Sequence, residues 1–504
     1  MENTNRQLKI GAMLSYVNLA LGSIIPLLYT PIMLKMLGNA EYGLYSLSSS
    51  VIGYLSLLTF GFGGTIVRYI TIYKASGEKK KEEEIFGFFL LLYSVIALII
   101  LLLGFILSKN VALIFGEGLT TTELHKMNIL VLIMAFNSAL SLPTSVYVSL
   151  TMAHEKYIFR RVLDIILTVA TPVCNLIALY LGAASVGMAL VGTLVQVIMF
   201  PLNVLYSSRK LDIHPKFAKI PKNLIKEMIQ YSFFVFVASI VDMLFWSTDK
   251  IILGMLAGTT AIAIYNIGST FNTMITGLST SVSTLLTPRV TTMVFQGASR
   301  EQLSDLFIRI GRIQYYVVAL VISGFIVFGQ SFISLWVGDS YMDAYWIAIV
   351  TLVPLTIPLI QNTGLSILMA QNKHSFRANC YLIIAILNVI CTYMVVPYYG
   401  VLGAAVCSGI SYLLGQGIIM NIYYYKNIGI DIPLFWKNIL KNSVVPILLV
   451  IVSIKCLSYV AISNWVVFFG FVILYTMLYL ILVFKFNLNN YEKKLFKSLI
   501  HKGV

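Results

Sequence analysis

Charge is scarce in this chain. Only 11% of its 504 residues are Asp, Glu, Lys or Arg, against roughly 25% in soluble domains, so an ordinary water-soluble globule is excluded. Cysteine is scarce too. Cys174, Cys380, Cys391, Cys407 and Cys456 all fall in apolar runs and form no CxxC pair, which argues against a disulfide framework or a cysteine metal site. The five histidines, His125, His154, His214, His374 and His501, lie between those runs, so a histidine relay or metal cluster within them is not expected. Neither a Walker A nor a GxSxG sequence occurs, and direct ATP use or serine-nucleophile chemistry has no support. The chain is therefore read as a non-enzyme without a cofactor.

What it has in abundance is apolar sequence: 59% of residues are hydrophobic and the mean hydropathy is +0.88. A hydrocarbon layer about 30 Å thick takes about 20 apolar residues per helix. Continuous runs of that kind predict an all-α, polytopic membrane protein with about fourteen transmembrane helices rather than a barrel, whose strands would alternate. The spans fall near 11–33, 43–65, 85–107, 128–150, 162–182, 186–206, 228–248, 263–287, 313–335, 344–370, 378–398, 401–423, 443–461 and 465–484. No small-residue cleavage site follows MENTNRQLKI, so the first span is read as a retained helix.

The net charge of +15 invites a nucleic-acid reading, which its distribution argues against. With the N-terminus inside, all but five of the 35 Lys and Arg fall in cytoplasmic segments, the exceptions being Lys35, Lys109, Lys126, Lys250 and Lys455. Such a bias places both termini in the cytoplasm of a multi-pass protein of the bacterial inner membrane. No nucleic-acid partner is expected, and attraction to anionic lipid is an addition to topology.

At a shift of 220 residues the chain matches itself. LKMLGNAEYGLYS lies against GMLAGTTAIAIYN, with Gly38 on Gly258 and Tyr45 on Tyr265, and Arg68 falls beside Pro288 and Arg289. A further match at a shift of 216 sets Gly187-Met188-Ala189 against Gly403-Ala404-Ala405. Six intervening spans keep both copies in one orientation, as in parallel repeats. The expected organisation is an N-lobe of six helices (1–206), a basic cytoplasmic linker (207–227), a C-lobe of six (228–424), and an appended pair with a cytoplasmic tail (425–504). Repeats of this kind favour a midplane site and rocking of one lobe against the other.

Polarity inside the spans is concentrated. In the eighth, Asn266, Thr270, Thr273, Thr280 and Thr284 form one stripe and Ser269, Asn272, Thr276, Ser279 and Ser283 the next; together they are read as a wall facing a wet cavity, with tight small-residue packing as the alternative. Asp242 and Asp249 lie seven apart around Trp246 on one face of the seventh span, followed by Lys250. Intramembrane acids are costly enough to suggest substrate contact or H+ or Na+ coupling, the alternatives being a structural pair or interhelical bond for Asp242 and an interfacial pair of Asp249 with Lys250. At the 220 shift, Asp242, Trp246 and Asp249 align with Gly22, Pro26 and Tyr29, marks of a deformable first helix. Arg68 and Arg289, closing corresponding spans, are read either as ordinary anchors or as a basic entrance for a phosphate-bearing headgroup. Gly61-Phe62-Gly63-Gly64 reads as a bend before Arg68, and Arg160, Arg161 and Asp164 as a local pair.

These features occur in a familiar order: Pro31 with Leu37-Gly38, Glu41-Tyr42-Gly43-Leu44-Tyr45, Gly61-Phe62-Gly63 to Arg68, Asp249-Lys250-Ile251-Ile252-Leu253-Gly254, and Pro397 to Ala405. Over nearly its whole length the chain resembles the polysaccharide-biosynthesis flippases that move lipid-linked O-antigen or capsule repeat units, within the multidrug/oligosaccharidyl-lipid/polysaccharide (MOP) exporter superfamily. The resemblance implies two lobes of six helices plus two further helices. It also implies alternating access, and carriage of an undecaprenyl-pyrophosphate-linked oligosaccharide from the cytoplasmic to the outer leaflet. Cationic and acidic cavity residues of that family map onto Arg68, Asp249 and Arg289. The polymerase and chain-length machinery of the same pathway are the implied partners. One departure is Ala263, where the family often has glycine.

The substrate-binding set is thus Arg68, Asp242, Asp249, Lys250, Arg289, Asn266, Thr270 and Thr273, with Asp242 and Asp249 the ion-coupling candidates. The competing readings are a cation-coupled multidrug exporter or a peptidoglycan-precursor flippase of the same superfamily, and more remotely a membrane-embedded glycan polymerase or ligase. The last is disfavoured by short outward loops, the longest near residues 108–127.

Overall fold

The computed structural model describes residues 2–371, 373–460 and 462–494, without the side chains of residues 2–6, 8, 9, 234, 281, 282, 284–287 and 374. The side chains of Thr284 and His374, and all of His501, therefore lie outside the described residues.

Among the described residues the chain is helical and has no strand, as a hydrocarbon solvent requires when each backbone N–H and C=O must be satisfied within its own segment. The first helices are α1 (Glu2–Leu37), α2 (Asn39–Leu55), α3 (Phe62–Ala75), α4 (Lys79–Lys109), the short α5 (Val111–Phe115), α6 (Thr121–Ala153), α7 (Tyr157–Tyr180) and α8 (Ala184–Tyr206). There follow α9 (Lys222–Trp246), α10 (Thr248–Leu256), α11 (Thr259–Phe295), α12 (Arg300–Val337), α13 (Asp343–Ile360) and α14 (Asn362–Ala370). The last are α15 (His374–Tyr412), α16 (Asn421–Tyr423), α17 (Ile432–Leu457) and α18 (Trp465–Leu482).

Twelve helical segments among the described residues are long and apolar enough to cross a membrane; about fourteen is not the count obtained this way. One of the twelve, Ser375–Ile428, has 54 residues, which as a straight helix would measure about 80 Å, far beyond a hydrocarbon core of about 30 Å. It is broken by Gly400, whose φ of 55° and ψ of −138° are non-helical. The Ser- and Thr-rich α11 is not among the twelve.

The internal repeat has a backbone counterpart. Gly38 (φ 83°) and Gly258 (φ 84°) adopt the same left-handed conformation, each just before a helix, α2 and α11 respectively. Only glycine adopts that conformation without strain.

Contacts divide the chain into two compact units, Met1–Ala263 with Tyr393–Gly400, and Ile264–Thr392 with Val401–Val504. In the first, Ile66, Ile70, Phe86, Phe89, Val146 and Leu150 form a core shared by α3, α4 and α6. Glu41 of α2 bonds Lys126 and Ser185, tying α2 to α6 and α8. The basic segment after α8 is strapped onto α4: Ile213 is buried in the same core, the Lys216 N–H donates to the Glu83 carbonyl at 3.0 Å, and Lys79 pairs with Asp212 at 2.7 Å. That pairing holds the Asp212 carboxyl below its ordinary range. Arg160 and Asp164 form the expected local pair at 2.8 Å.

The second unit has one core around Phe307, Tyr424 and Phe435 and another around Phe328, Phe468 and Tyr475. The buried Arg312 of α12 binds Glu492 through two nitrogens at 2.7 and 2.9 Å and also donates to Asn438 and Tyr316, clamping the segment after α18.

Candidate functional site

The site is built on two breaks. The second span is interrupted between α2 and α3 by a 3-10 turn at Ser56–Thr59, followed by Phe60 (φ 54°) and Gly61 (φ 67°), both left-handed. The seventh span is interrupted at Ser247 (φ −121°, ψ −27°), between α9 and α10. A side chain of the second span bridges the break in the seventh. The Tyr54 hydroxyl donates to the Met243 carbonyl at 3.3 Å and bonds the Thr248 hydroxyl across the second break.

The two broken spans run antiparallel along a single seam. Gly43 meets Thr259 so closely that a Cβ there would lie 1.9 Å from the Thr259 carbonyl oxygen. Further along, the ring of Phe60 stacks on Phe236, Thr65 bonds Ser232 at 2.5 Å, and the Arg68 guanidinium lies 4.6 Å from the centre of the Tyr231 ring.

Between the breaks lies a cavity of 390 Å³ whose lining includes Ser56, Thr59, Ser239, Asp242 and Trp246 beside the apolar Leu57, Phe236 and Met243. A carboxylate accepts hydrogen bonds, serine and threonine hydroxyls both donate and accept, and an indole offers a broad apolar face with one N–H. That combination suits a ligand carrying hydroxyls on one face and C–H groups on another.

A second cavity of 250 Å³, lined by Tyr45, Ser49, Asn137 and Ser138 among others, shares Ser56 with the first. Asn137 donates to the Ala189 carbonyl at 2.9 Å, while its buried Oδ1 accepts from nothing in the structure. Sequence reasoning passed over Asn137, although an amide in the middle of a membrane span was a usable signal.

The sequence-derived residues distribute unevenly. Asp242 is exposed to the first cavity, whereas Asp249 is only 1% exposed. The two aspartates were expected to share a helical face; they do not, because the helix breaks at Ser247 and Asp249 sits in the first turn of α10. An acid there is favoured by the helix dipole. Lys250 is half-buried, and Arg68 is exposed on the seam.

In the second unit Arg289 is exposed, Asn266 and Thr270 are half-buried and Thr273 is exposed on α11. Within the adjacent stripe, Asn272 and Ser279 pack against neighbouring helices. Ser279 donates to the Leu359 carbonyl at 2.9 Å and accepts from Asn362 at 3.2 Å, and Asn272 accepts from Thr351 at 3.1 Å. Part of the polar surface expected of this helix is thus used in helix contact.

Comparison with known proteins follows the same lines. Residues 11–294 match the family model described as polysaccharide biosynthesis protein. No curated protein sequence matches the chain. Among solved structures the chain is similar to the lipid II flippase MurJ in an inward closed conformation, with a TM-score of 0.74, 16% identity, and 94% of this chain and 97% of that one covered. It is also similar to an inward-facing multidrug resistance MATE family transporter of the MOP superfamily (TM-score 0.64, 14% identity, 82% and 96% covered). A MOP superfamily transporter from Pyrococcus furiosus matches at a TM-score of 0.57 with 12% identity, covering 83% of this chain and 96% of that one. At such identities these likenesses concern the fold alone.

Proposed function

The chain belongs to the polysaccharide biosynthesis protein family, and from that premise we propose that it is a flippase for a lipid-linked saccharide. Its cargo in this reading is an undecaprenyl-pyrophosphate-linked oligosaccharide repeat unit of an O-antigen, capsule or related surface polysaccharide. The unit passes from the cytoplasmic to the outer leaflet of the inner membrane by alternating access. The repeat-defined lobes, 1–206 and 228–424, are the moving parts proposed for it, and both termini are cytoplasmic.

The observation that carries this reading is the cavity that sets Asp242 and Trp246 against Ser56, Thr59 and Ser239 within a membrane helix pair. A carboxylate and several hydroxyls facing a cavity within a membrane helix pair offer acceptors and donors to a polar cargo, and sugar hydroxyls are suited to them. Arg68, exposed on the same seam, is the proposed contact for the pyrophosphate, which a guanidinium binds at two points. Arg289, Lys250, Asn266, Thr270 and Thr273 are proposed contributors to the same cargo path, and Asp242 and Asp249 to H+ or Na+ coupling.

The test is binding and leaflet transfer in proteoliposomes, using a polyprenyl-pyrophosphate oligosaccharide against a neutral glycolipid with the same sugars. The expected result is preferential binding and transfer of the pyrophosphate-linked form. Equal handling of the two would overturn the reading.

A second reading, a cation-coupled drug exporter, is favoured by one observation: Asp242 shares its cavity with the aromatic rings of Phe236 and Trp246, a combination that also suits an organic cation. Binding of cationic drugs, with no affinity for the glycolipid, would select it.

A further inference from the structure

The segment from Leu57 to Phe62 separates two cavities of opposite character. Leu57, Thr59 and Gly61 face the 390 Å³ polar cavity, whereas Leu58, Phe60 and Phe62 face a groove of 320 Å³ on the other side. The alternation follows from the broken helix: the 3-10 turn and the two left-handed residues give this stretch a period near two, where an intact α-helix would put neighbours only 100° apart. Besides Phe60 and Phe62, the groove is lined by Phe88, Leu92, Met228 and Ile229 among others, and no charged or hydroxyl side chain lines it.

Read along α9, the chemistry is ordered. Ile225, Met228 and Ile229 line the groove, Tyr231 carries Arg68 over its ring, and Ser239, Asp242 and Trp246 line the polar cavity. From Ile229 to Asp242 is about 20 Å along a helix axis. An amphipathic molecule whose apolar chain is joined covalently to sugars can occupy both sides of the Leu57–Phe62 segment at once.

We propose that this groove holds the head-proximal isoprene units of the lipid-linked substrate while its sugars occupy the polar cavity on the other face of the Leu57–Phe62 segment. The inference rests on the flippase reading and adds where the tail is held. A groove of this volume takes the first units next to the phosphate, leaving the rest of the chain in lipid. Bilayer tails are themselves apolar, so no hydrophobic driving force favours the groove over lipid. Retention instead comes from dispersion contacts with Phe60, Phe62 and Phe88 and from the methyl-branched, unsaturated chain having less freedom to lose than a saturated acyl chain.

The test uses the full chain in nanodiscs of phosphatidylethanolamine and phosphatidylglycerol. The probe is a polyprenyl-pyrophosphate disaccharide with a diazirine on a head-proximal isoprene, and crosslinks are mapped by mass spectrometry. Labelling of α3, α4 and α9 around Phe62, Phe88, Leu92 and Ile229 is expected. In parallel, Leu92→Trp fills the groove and is expected to weaken binding of the polyprenyl-linked disaccharide at least tenfold, leaving binding of the tail-free disaccharide pyrophosphate unchanged. Crosslinks elsewhere with binding intact would overturn the groove assignment alone. So would equal labelling of the groove by a photoreactive phospholipid in the presence of saturating substrate. Absence of binding by both the polyprenyl-linked and the tail-free compounds would remove the flippase reading, and this inference with it.

Discussion

The ring of Phe60 lies on that of Phe236 with centroids 4.1 Å apart and planes 15° from parallel. The contact joins the two spans beside the turn that parts the polar cavity from the apolar groove. Phe60 holds it from a left-handed backbone (φ 54°), a conformation costing roughly 1–2 kcal/mol for a residue with a Cβ.

Replacing Phe60 therefore has two separable effects. Phe60→Ala and Phe60→Gly both lose the stack, but glycine also relieves the backbone. Thermal unfolding in detergent should find the glycine variant the more stable by about 1 kcal/mol. An alanine variant as stable as the glycine one would mean that this backbone conformation is not retained.

Asp242 is expected to act through its charge. Hydrogen bonds to a charged group contribute about 1.5–3 kcal/mol, so Asp242→Asn should weaken saccharide binding by roughly tenfold or more. If Asp242 also couples transport to a cation, the same variant should transport at a rate indifferent to H+ and Na+ gradients. Gradient-driven transport at the unmodified rate would dismiss that role.

Arg68→Lys keeps the charge but loses the planar fork. Titration should show binding of a pyrophosphate-linked saccharide weakened about tenfold, a difference of about 1.4 kcal/mol, with much less change for the monophosphate. Equal losses for both would point to simple charge attraction.

At Gly43 the constraint is steric. A Cβ would meet the Thr259 carbonyl at 1.9 Å, and backbone yields poorly, so Gly43→Ala should destabilise by about 3 kcal/mol, near the upper end of overpacking costs. Gly63→Ala, where nothing lies within 4 Å of the added atom, is the control and should be neutral or mildly stabilising.

The Arg312–Glu492 pair is buried, at 9% and 5% exposure. Removing either partner strands a charge, so Arg312→Met or Glu492→Leu alone should cost roughly 3–5 kcal/mol. The double variant should cost much less than the sum, as read in a double-mutant cycle of chemical unfolding. Additive losses would show that the two residues act independently.

Much was legible in the sequence because it depends on solvent. Hydropathy determined an all-α membrane protein, since a bilayer leaves the backbone few other choices. The 220-residue match picked out Gly38 and Gly258, and their common left-handed conformation follows from what only glycine tolerates. The motifs from Pro31 to Arg68 and from Asp249 to Gly254 pointed to the family that the match over residues 11–294 establishes.

The candidate site needed tertiary structure because it is made by departures from helical periodicity. Counting seven residues from Asp242 to Asp249 assumes an unbroken helix; the break at Ser247 leaves one acid in a cavity and buries the other. Nor could composition tell a polar stripe that lines a cavity from one that packs, as Ser279 and Asn272 do against neighbouring helices. The sequence by itself determined the solvent and the all-helical class, both of which arise from local composition and spacing. Only the tertiary structure decided which polar residues meet, because that depends on where two helices break and which neighbouring helix packs beside each break.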